Sequence, residues 1–296
     1  MSLFSLLGAL EIGLIFSLVA LGVLISFRIL RFPDLTVDGS FPLGGAVAAT
    51  LISAGTDPFT ATLAATAAGA LAGLLTGWLN VKLRIMDLLA SILVMIALYS
   101  INLRIMGRPN VPLIMEPTFF TVLQAPGVAD YVMRPLLLVG VVLAAKFALD
   151  WFFGTGTGLA MRATGSNPRM SRAQGVNTGA MVLGGMALSN ALVGLAGALF
   201  AQTQGGADIS MGIGTIVIGL AAVIVGESLL PTRKLVWLTL GVILGALVYR
   251  LFIALALNTE FIGLQAQDLN LVTAVLVTFA LVLPRLRGRR KAQGGR

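Results

Sequence analysis

The feature that most constrains the fold is a succession of apolar segments, most of them near the roughly twenty residues that an α-helix needs to cross a hydrocarbon core. Hydrophobic residues make up 57% of the chain and charged residues only 11%, which is too little charge for the surface of a soluble domain of this size. The sequence therefore predicts an all-α fold, a polytopic membrane helical bundle of about nine spans. The predicted segments are Gly8–Phe27, Gly39–Ala54, Phe59–Val81, Ile85–Met106, Pro135–Phe153, Ala180–Gln202, Gly212–Leu230, Leu235–Leu257 and Asp268–Pro284.

The second apolar segment is short and is interrupted by proline and glycine. Pro33 precedes it, and Pro42 lies among Gly39, Gly44 and Gly45. Such backbone is tolerated at membrane depth only where it is buried in protein or lines a cavity. We therefore expect a short broken or re-entrant helix. Asp34 and Asp38, near its start, are candidates to line a polar path through the membrane, or else to cap this helix.

A polar, basic stretch, Thr155–Thr178, interrupts the apolar segments and is called the polar segment below. It carries the start and stop signals of a short helix. Asn167 or Ser166 can serve as the N-cap, Pro168 fits the first helical position, and Gly175 suits the left-handed residue after the helix end. The pattern predicts a helix of about two turns.

This predicted helix, Pro168–Gln174, is roughly 10 Å long at 1.5 Å per residue. It carries Arg169 and Arg172. A helix so short and so polar cannot cross a bilayer, and it must lie outside the membrane. A capped basic helix between two spans is suited to contact another protein.

Basic residues predict the orientation of the chain, because cytoplasmic loops carry an excess of Lys and Arg. With the polar segment on the cytoplasmic side, fifteen of the twenty basic residues fall inside, and Arg104, Arg108 and Arg134 fall outside. We expect the N-terminus outside and the C-terminus in the cytoplasm. The net charge of +8 is spread over membrane-facing loops, which argues against nucleic-acid binding. The chain divides into a transmembrane domain, 1–284, which includes the polar segment 155–178, and a basic cytoplasmic tail, 285–296.

Small residues at four-residue spacing indicate where helices pack closely. Gly69, Gly73 and Gly77 share one helix face in the third segment, and Gly241 and Gly245 repeat the spacing in the eighth. Glycine on a membrane helix lets a neighbouring backbone approach. These residues therefore predict helix–helix contacts rather than a binding site.

Polar side chains inside the apolar segments are further candidates. Tyr99, Asn102 and Asn190 could line a path through the bundle, although hydrogen bonding between helices is the commoner use of such residues. Lys146 and Asp150 lie four positions apart and should pair on one helix face.

The composition excludes several kinds of chemistry. The chain has neither cysteine nor histidine, so it lacks thiolate ligands, a thiol nucleophile and the commonest general base. A P-loop needs lysine after glycine, whereas the four lysines follow Val81, Ala145, Arg233 and Arg290. We therefore predict no catalytic residue, no metal and no cofactor. The chain is not an enzyme, and any ATP hydrolysis has to be performed by a partner subunit.

Four stretches resemble one family of membrane proteins. Arg162–Thr178 resembles the cytoplasmic coupling segment of permeases that serve ribose-type sugars and branched-chain amino acids in binding-protein-dependent ABC importers. Asp34–Ser40 with the glycines that follow, and Gly219–Leu229, resemble two other motifs of that family. Glu227 stands where a second small residue is more usual. Leu89–Asn110 is similar to the uncharacterised or aromatic amino acid permease subgroup.

The resemblance implies a set of partners and a mechanism. Two permease copies form a homodimer in the bacterial inner membrane, where membrane lipid surrounds them. They work with ABC ATPase subunits and an extracytoplasmic solute-binding protein. The ATPases drive alternating access through the coupling helix, and the solute is small and polar, such as an amino acid. The ATPase-coupling positions are then Arg162, Asn167, Pro168, Arg169, Arg172 and Gly175, the gate or packing positions are Gly219, Gly226 and Glu227, and the substrate-path candidates are Asp34, Asp38, Tyr99, Asn102 and Asn190.

Two alternatives remain at the level of sequence. The first is a secondary transporter driven by an ion gradient. That class predicts an inverted repeat and ionisable groups within the membrane, and the sequence shows neither a convincing repeat between its halves nor a histidine. The second alternative is the same kind of ABC system with a sugar, a nucleoside or a vitamin as its solute.

Overall fold

The structure is a computed structural model that describes residues 3–123, 130–232, 234–257 and 278. It consists almost entirely of helices. The elements in order are α1 (Leu3–Val23), a π-helical segment (Leu24–Ile29, the π segment), α2 (Val37–Ser53), α3 (Pro58–Leu83), α4 (Asp87–Met106), β1 (Asn110–Pro112), α5 (Phe119–Val122), α6 (Asp130–Gly154), α7 (Gly156–Ser166), α8 (Pro168–Ala173), α9 (Thr178–Gln204), β2 (Gly206–Asp208), α10 (Thr215–Leu229) and α11 (Leu235–Leu257).

The prediction of an all-α polytopic bundle is confirmed. Within the described residues, 6 helices are long and apolar enough to cross a membrane, and α10 is a shorter apolar helix. The second predicted segment is indeed short, a helix of 17 residues with Pro42 inside it. The count of nine spans stays a prediction, and the ninth segment, Asp268–Pro284, and the tail 285–296 lie outside the described residues.

The bundle has two distinct ends. Helices α1, α3 and α6 run towards the end that carries α7 and α8, and α4, α9 and α11 run away from it. This end, called the basic end, brings together Arg28, Arg31, Arg84, Arg162 and Arg172 around two cavities. The opposite end, called the strand end, carries β1 and β2. The described arginines therefore separate along the bundle axis as the positive-inside pattern predicts.

At the strand end β1 pairs antiparallel with β2, with Asn110 opposite Asp208. The Asp208 carboxylate accepts hydrogen bonds from the Ser210 hydroxyl and backbone N–H and from Asn110 Nδ2. The Ser210 hydroxyl contributes most to holding the pKa of Asp208 below its usual value. This pairing ties the loop after α4 to the end of α9.

Helix α1 lies at the centre of the bundle and contacts α6, α9, α10 and α11. Its apolar side chains are buried on nearly every face, which is expected of a helix enclosed by others. Phe16 stacks on Phe41 of α2 with ring centroids 5.8 Å apart, and Phe200 of α9 closes the cluster. The core thus joins α1, α2 and α9.

The predicted glycine faces pack as expected. A Cβ on Gly69 or Gly73 would collide with the carbonyl oxygens of Asn190 and Met186, so α3 and α9 are in backbone contact. A Cβ on Gly245 would likewise collide with Ala222 O of α10, and one on Gly241 would lie 3.0 Å from Gly226 O. The prediction of close packing is confirmed at both places.

One series of elements occurs twice along the chain. It consists of a long helix, a non-helical crossing, a short helix and a second long helix. It comprises α1 to α3 in the first half and α9 to α11 in the second. The second copy is inverted, because α1 and α3 run towards the basic end whereas α9 and α11 run away from it. The two copies share an arrangement of helices rather than a residue pattern that the sequence reveals. The lack of a sequence repeat therefore does not argue against an ion-driven transporter.

Candidate functional site

The polar segment forms two helices at the basic end. The second, α8, spans Pro168–Ala173, close to the predicted Pro168–Gln174. Asn167 is its N-cap, and the side-chain oxygen accepts a hydrogen bond of 3.1 Å from the Met170 backbone N–H. Pro168 occupies the first helical position. The predicted cap and proline position are confirmed.

The end of α8 is a Schellman motif, in which two backbone N–H groups turn back onto the last helical carbonyls. The Gly175 N–H donates to Arg172 O and the Val176 N–H donates to Ser171 O, each at 3.0 Å. Gly175 has φ +81°, a left-handed conformation that glycine adopts without a Cβ penalty. The helix therefore begins and ends on hydrogen bonds within the polar segment.

Helix α7, Gly156–Ser166, was missed at the sequence level, and it carries Arg162. Its N-cap is Thr155, whose hydroxyl accepts from the Gly158 N–H at 3.3 Å. The threonine is a visible start signal, but the glycines at 156, 158 and 165 disfavour a helix and hide it. Arg162 is therefore separate from Arg169 and Arg172, which lie exposed on α8.

Helix α7 lies directly on the backbone of the π segment. A Cβ on Gly165 would overlap the Ile29 carbonyl oxygen, so that the two backbones touch. Leu30, next in the chain, lies against Met161 and Gly185 in the same region. Helix α7 is therefore in direct backbone contact with the end of the central helix.

Glu227, in the last turn of α10, pairs with Arg28 of the π segment. Arg28 Nε donates to Glu227 Oε1 at 2.5 Å, across 199 positions of the chain. The ion pair joins the end of the central helix to the end of α10.

Gly219 and Gly226, predicted as gate or packing positions, both lie at helix contacts. Gly226 leaves no space for a Cβ against the Gly241 carbonyl, and a Cβ on Gly219 would lie 2.8 Å from Val23 of α1. Helix α10 is thus enclosed closely between α1 and α11.

Asp38, in the first turn of α2, caps the start of α10. Its carboxylate accepts hydrogen bonds from the backbone N–H groups of Ile216 (2.7 Å) and Gly214 (3.3 Å). Asp38 thus caps α10 instead of α2, the helix on which it lies. The N-termini of both short helices meet at this carboxylate, where the positive ends of the two helix dipoles favour a negative charge.

Asp34 and Asn190 form a second polar cluster beside it, together with Thr36 and Ser40; we call these four residues the mid-bundle network. Asn190 Nδ2 donates to Asp34 Oδ2 at 2.8 Å, and Ser40 Oγ donates to Asn190 Oδ1 at 2.7 Å. The Thr36 N–H donates to Asp34 Oδ1 at 3.0 Å. All four are buried. A buried carboxylate requires such donors because burial without them is costly.

The two remaining path candidates, Asn102 and Tyr99, differ in burial. Asn102 is buried and donates from Nδ2 to Gly39 O at 3.2 Å. Its Oδ1 has no hydrogen-bond partner within the described residues. Tyr99 is 57% exposed and belongs to the surface of the subunit instead. Four of the five candidates therefore converge where the two short helices meet, and Tyr99 does not.

Lys146 and Asp150 form the predicted pair, with Nζ and Oδ2 2.5 Å apart. Thr239 of α11 donates to the other carboxylate oxygen at 2.9 Å. The pair thus connects α6 to α11. The threonine could not have been identified from sequence, because it lies 89 positions away.

Residues 5–283 match the family described as branched-chain amino acid transport system / permease component. The chain belongs to this permease family. The resemblance drawn from the polar segment and its companion motifs is therefore confirmed. The two short helices and the α7–α8 unit are therefore parts of a transport-system permease.

Individual relatives agree with this membership. A tyrosine transport system permease protein of Clostridioides difficile is 38% identical over 265 residues, 90% of this chain and 86% of that protein. An uncharacterised protein of Rickettsia prowazekii is 33% identical over 277 residues, 93% of this chain and 96% of its own length. The nucleoside ABC transporter permease protein NupC of Lactococcus lactis is 33% identical over 156 residues, 51% of this chain and 43% of that protein.

Proposed function

We propose that this permease is the membrane subunit of an ATP-driven, binding-protein-dependent importer, and that a partner ATPase acts on it through α8. One observation carries the proposal. A capped, basic helix projects from the basic end, and its neighbour α7 lies in backbone contact with the π segment of the central helix. A partner that moves α8 from outside the membrane would thus act, through α7, on the end of the central helix.

Contacts between the described residues supply a route from that point to the middle of the bundle. Helix α7 touches the π segment at Gly165, and the π segment is joined to α10 by Arg28 and Glu227. The start of α10 is held by Asp38 of α2. Movement of packed helices as rigid bodies is a common form of alternating access. Two short helices held end to end by one carboxylate are suited to such a change.

For the solute, we propose a small polar molecule of the amino acid class, with aromatic amino acids as the first candidates. The tyrosine permease relative supports this class over nine-tenths of the chain. The nucleoside permease relative covers about half of it, which makes a nucleoside the second candidate. In this state the mid-bundle network is buried and its groups are hydrogen-bonded to one another. Its carboxylate and amides are of the kind that can contact an amino acid, and such contact would require the bundle to open around them.

The remaining parts of the proposal follow from the two ends of the bundle. The basic end faces the cytoplasm and the ATPases, and the strand end faces outward, towards the solute-binding protein. The N-terminus is then outside and the C-terminus inside, in a bacterial inner membrane. A second permease copy completes a homodimer around the path.

The coupling role can be tested on α8. We expect Arg169→Gln combined with Arg172→Gln to reduce ATPase binding and solute uptake. If both arginines make charge-assisted hydrogen bonds, at about 1.5–3 kcal/mol each, the affinity for the ATPase should fall roughly a hundredfold or more. Co-purification of the ATPase and uptake in proteoliposomes measure the two effects.

The matched control for that experiment is Arg104→Gln combined with Arg108→Gln, which removes the same charge near the strand end. It should leave ATPase binding unchanged. Unchanged ATPase binding and uptake in the α8 variant would refute the coupling role of α8. Uptake that persists without ATP and follows an ion gradient would instead favour an ion-coupled transporter.

The solute class can be tested with the partner binding protein and with the reconstituted transporter. We expect ATP-dependent uptake of labelled tyrosine, and competition by other aromatic amino acids rather than by nucleosides. Competition by nucleosides alone would select the second candidate. Because selectivity in such systems is shared with the binding protein, its ligand profile should be measured by calorimetry alongside uptake.

A further inference from the structure

A cavity of about 450 Å³ opens at the basic end between the π segment, α7, the end of α10 and the start of α11. Its volume falls in the range of roughly 300–1,000 Å³ usual for small-molecule sites. We call it the arginine cavity. The polar residues that line it are Arg28, Arg31, Arg162, Ser166, Glu227 and Thr232.

The charges in the arginine cavity do not balance. Glu227 is the acidic residue among those lining it, and it is engaged by Arg28. Arg31 and Arg162 make neither an ion pair nor a side-chain hydrogen bond with any described residue. Two guanidinium groups are thus available on its wall, one on α7 and one just after the π segment.

Arg31 also has an unusual backbone conformation. Its φ is +58°, in the left-handed region where glycine is normally favoured. Such a conformation costs a non-glycine residue of the order of 1–3 kcal/mol, and strained residues of this kind concentrate at binding and switch sites. Arg84 at the end of α3 has a similar φ of +55°, so both arginines occupy the left-handed position that ends a helix.

We propose that the arginine cavity binds a phosphate group. Guanidinium groups present paired N–H donors that match the oxygens of phosphate, and the cavity offers two such groups together with the hydroxyls of Ser166 and Thr232. The phosphate can belong to the headgroup of an anionic phospholipid or be free in solution. The proposal does not rest on the coupling role of α8.

A bound phosphate would have a structural consequence. It would lie between Arg162 of α7 and Arg31 after the π segment, and beside the Arg28–Glu227 ion pair. It would bridge α7 and the π segment through their side chains. It would also compete with Glu227 for Arg28, because the guanidinium can pair with either anion.

Two substitutions in full-length permease should change phosphate binding in opposite directions. Arg31→Gln removes a donor and should weaken binding at least about tenfold, the loss expected for one charge-assisted hydrogen bond. Glu227→Gln removes the competing carboxylate, releases Arg28, and should strengthen binding several-fold, by roughly the energy of one partly screened charge pair. Lys82→Gln, the same charge change at the same end of the bundle but outside the cavity, should have no effect.

Two probes separate the sources of the phosphate. Inorganic phosphate is titrated against permease in neutral detergent and followed by phosphorus NMR. In the second probe, the permease is taken from nanodiscs that contain phosphatidylcholine and phosphatidylglycerol, and native mass spectrometry counts the phosphatidylglycerol molecules that stay bound to it. Glu227→Gln should bind most tightly, wild type less tightly and Arg31→Gln least tightly. If inorganic phosphate shows this order, the ligand is a free phosphate. If phosphatidylglycerol shows it, the ligand is a lipid headgroup. Equal binding by all variants with both probes would overturn the proposal, and neither assay involves the ATPase.

Discussion

Gly165→Ala is expected to reduce solute transport at least about tenfold while the permease remains folded and inserted. The added Cβ would overlap the carbonyl oxygen of Ile29, and neither backbone can rotate away as a side chain could. Overpacking of this kind typically costs about 1–3 kcal/mol. That energy is available to push α7 off the π segment, which would break the proposed route between α8 and the middle of the bundle.

The control for this substitution lies on the same helix. Gly156 has open space where a Cβ would lie, so Gly156→Ala should keep full transport and could stabilise α7 by up to about 1 kcal/mol. ATP-dependent uptake and ATPase co-purification should be measured for both variants. Full transport by Gly165→Ala would show that the backbone contact plays no part in coupling.

Asn190→Ala is expected to lower the stability of the permease by about 3 kcal/mol, more than most single substitutions. It removes the donor to Asp34 Oδ2 and the acceptor for the Ser40 hydroxyl. Both groups are buried, so no water can replace the lost partner without rearrangement of the bundle. Thermal unfolding in detergent, followed by fluorescence, measures the loss.

The matched control is the neighbouring Ser189→Ala, which removes one neutral hydrogen bond to Gly22 O at 2.8 Å from an equally buried position. Its cost should be about 1 kcal/mol. The double exchange Asp34→Asn with Asn190→Asp keeps one donor and one acceptor facing each other and should recover part of the stability. Equal losses in Asn190→Ala and Ser189→Ala would show that the mid-bundle network has no special contribution.

Local features could be predicted from the sequence because they depend on adjacent residues. The caps of α8 need only Asn167, Pro168 and Gly175 in the correct order, and the structure has all three in those roles. Helix α7 was missed because its glycines lower helix propensity. The close contact of one of them, Gly165, with the π segment depends on a residue more than a hundred positions away.

The sequence alone was sufficient to establish a membrane bundle, the polar segment and the absence of a P-loop, because apolar length, charge and motif spacing are properties of the chain itself. The packing of helices decided which polar groups meet. Asp34 meets Asn190 across 156 positions, Asp38 meets Ile216 across 178, and Arg28 meets Glu227 across 199. No periodicity encodes such pairs, since they exist only after the glycine faces of α3, α9, α10 and α11 have brought the helices together.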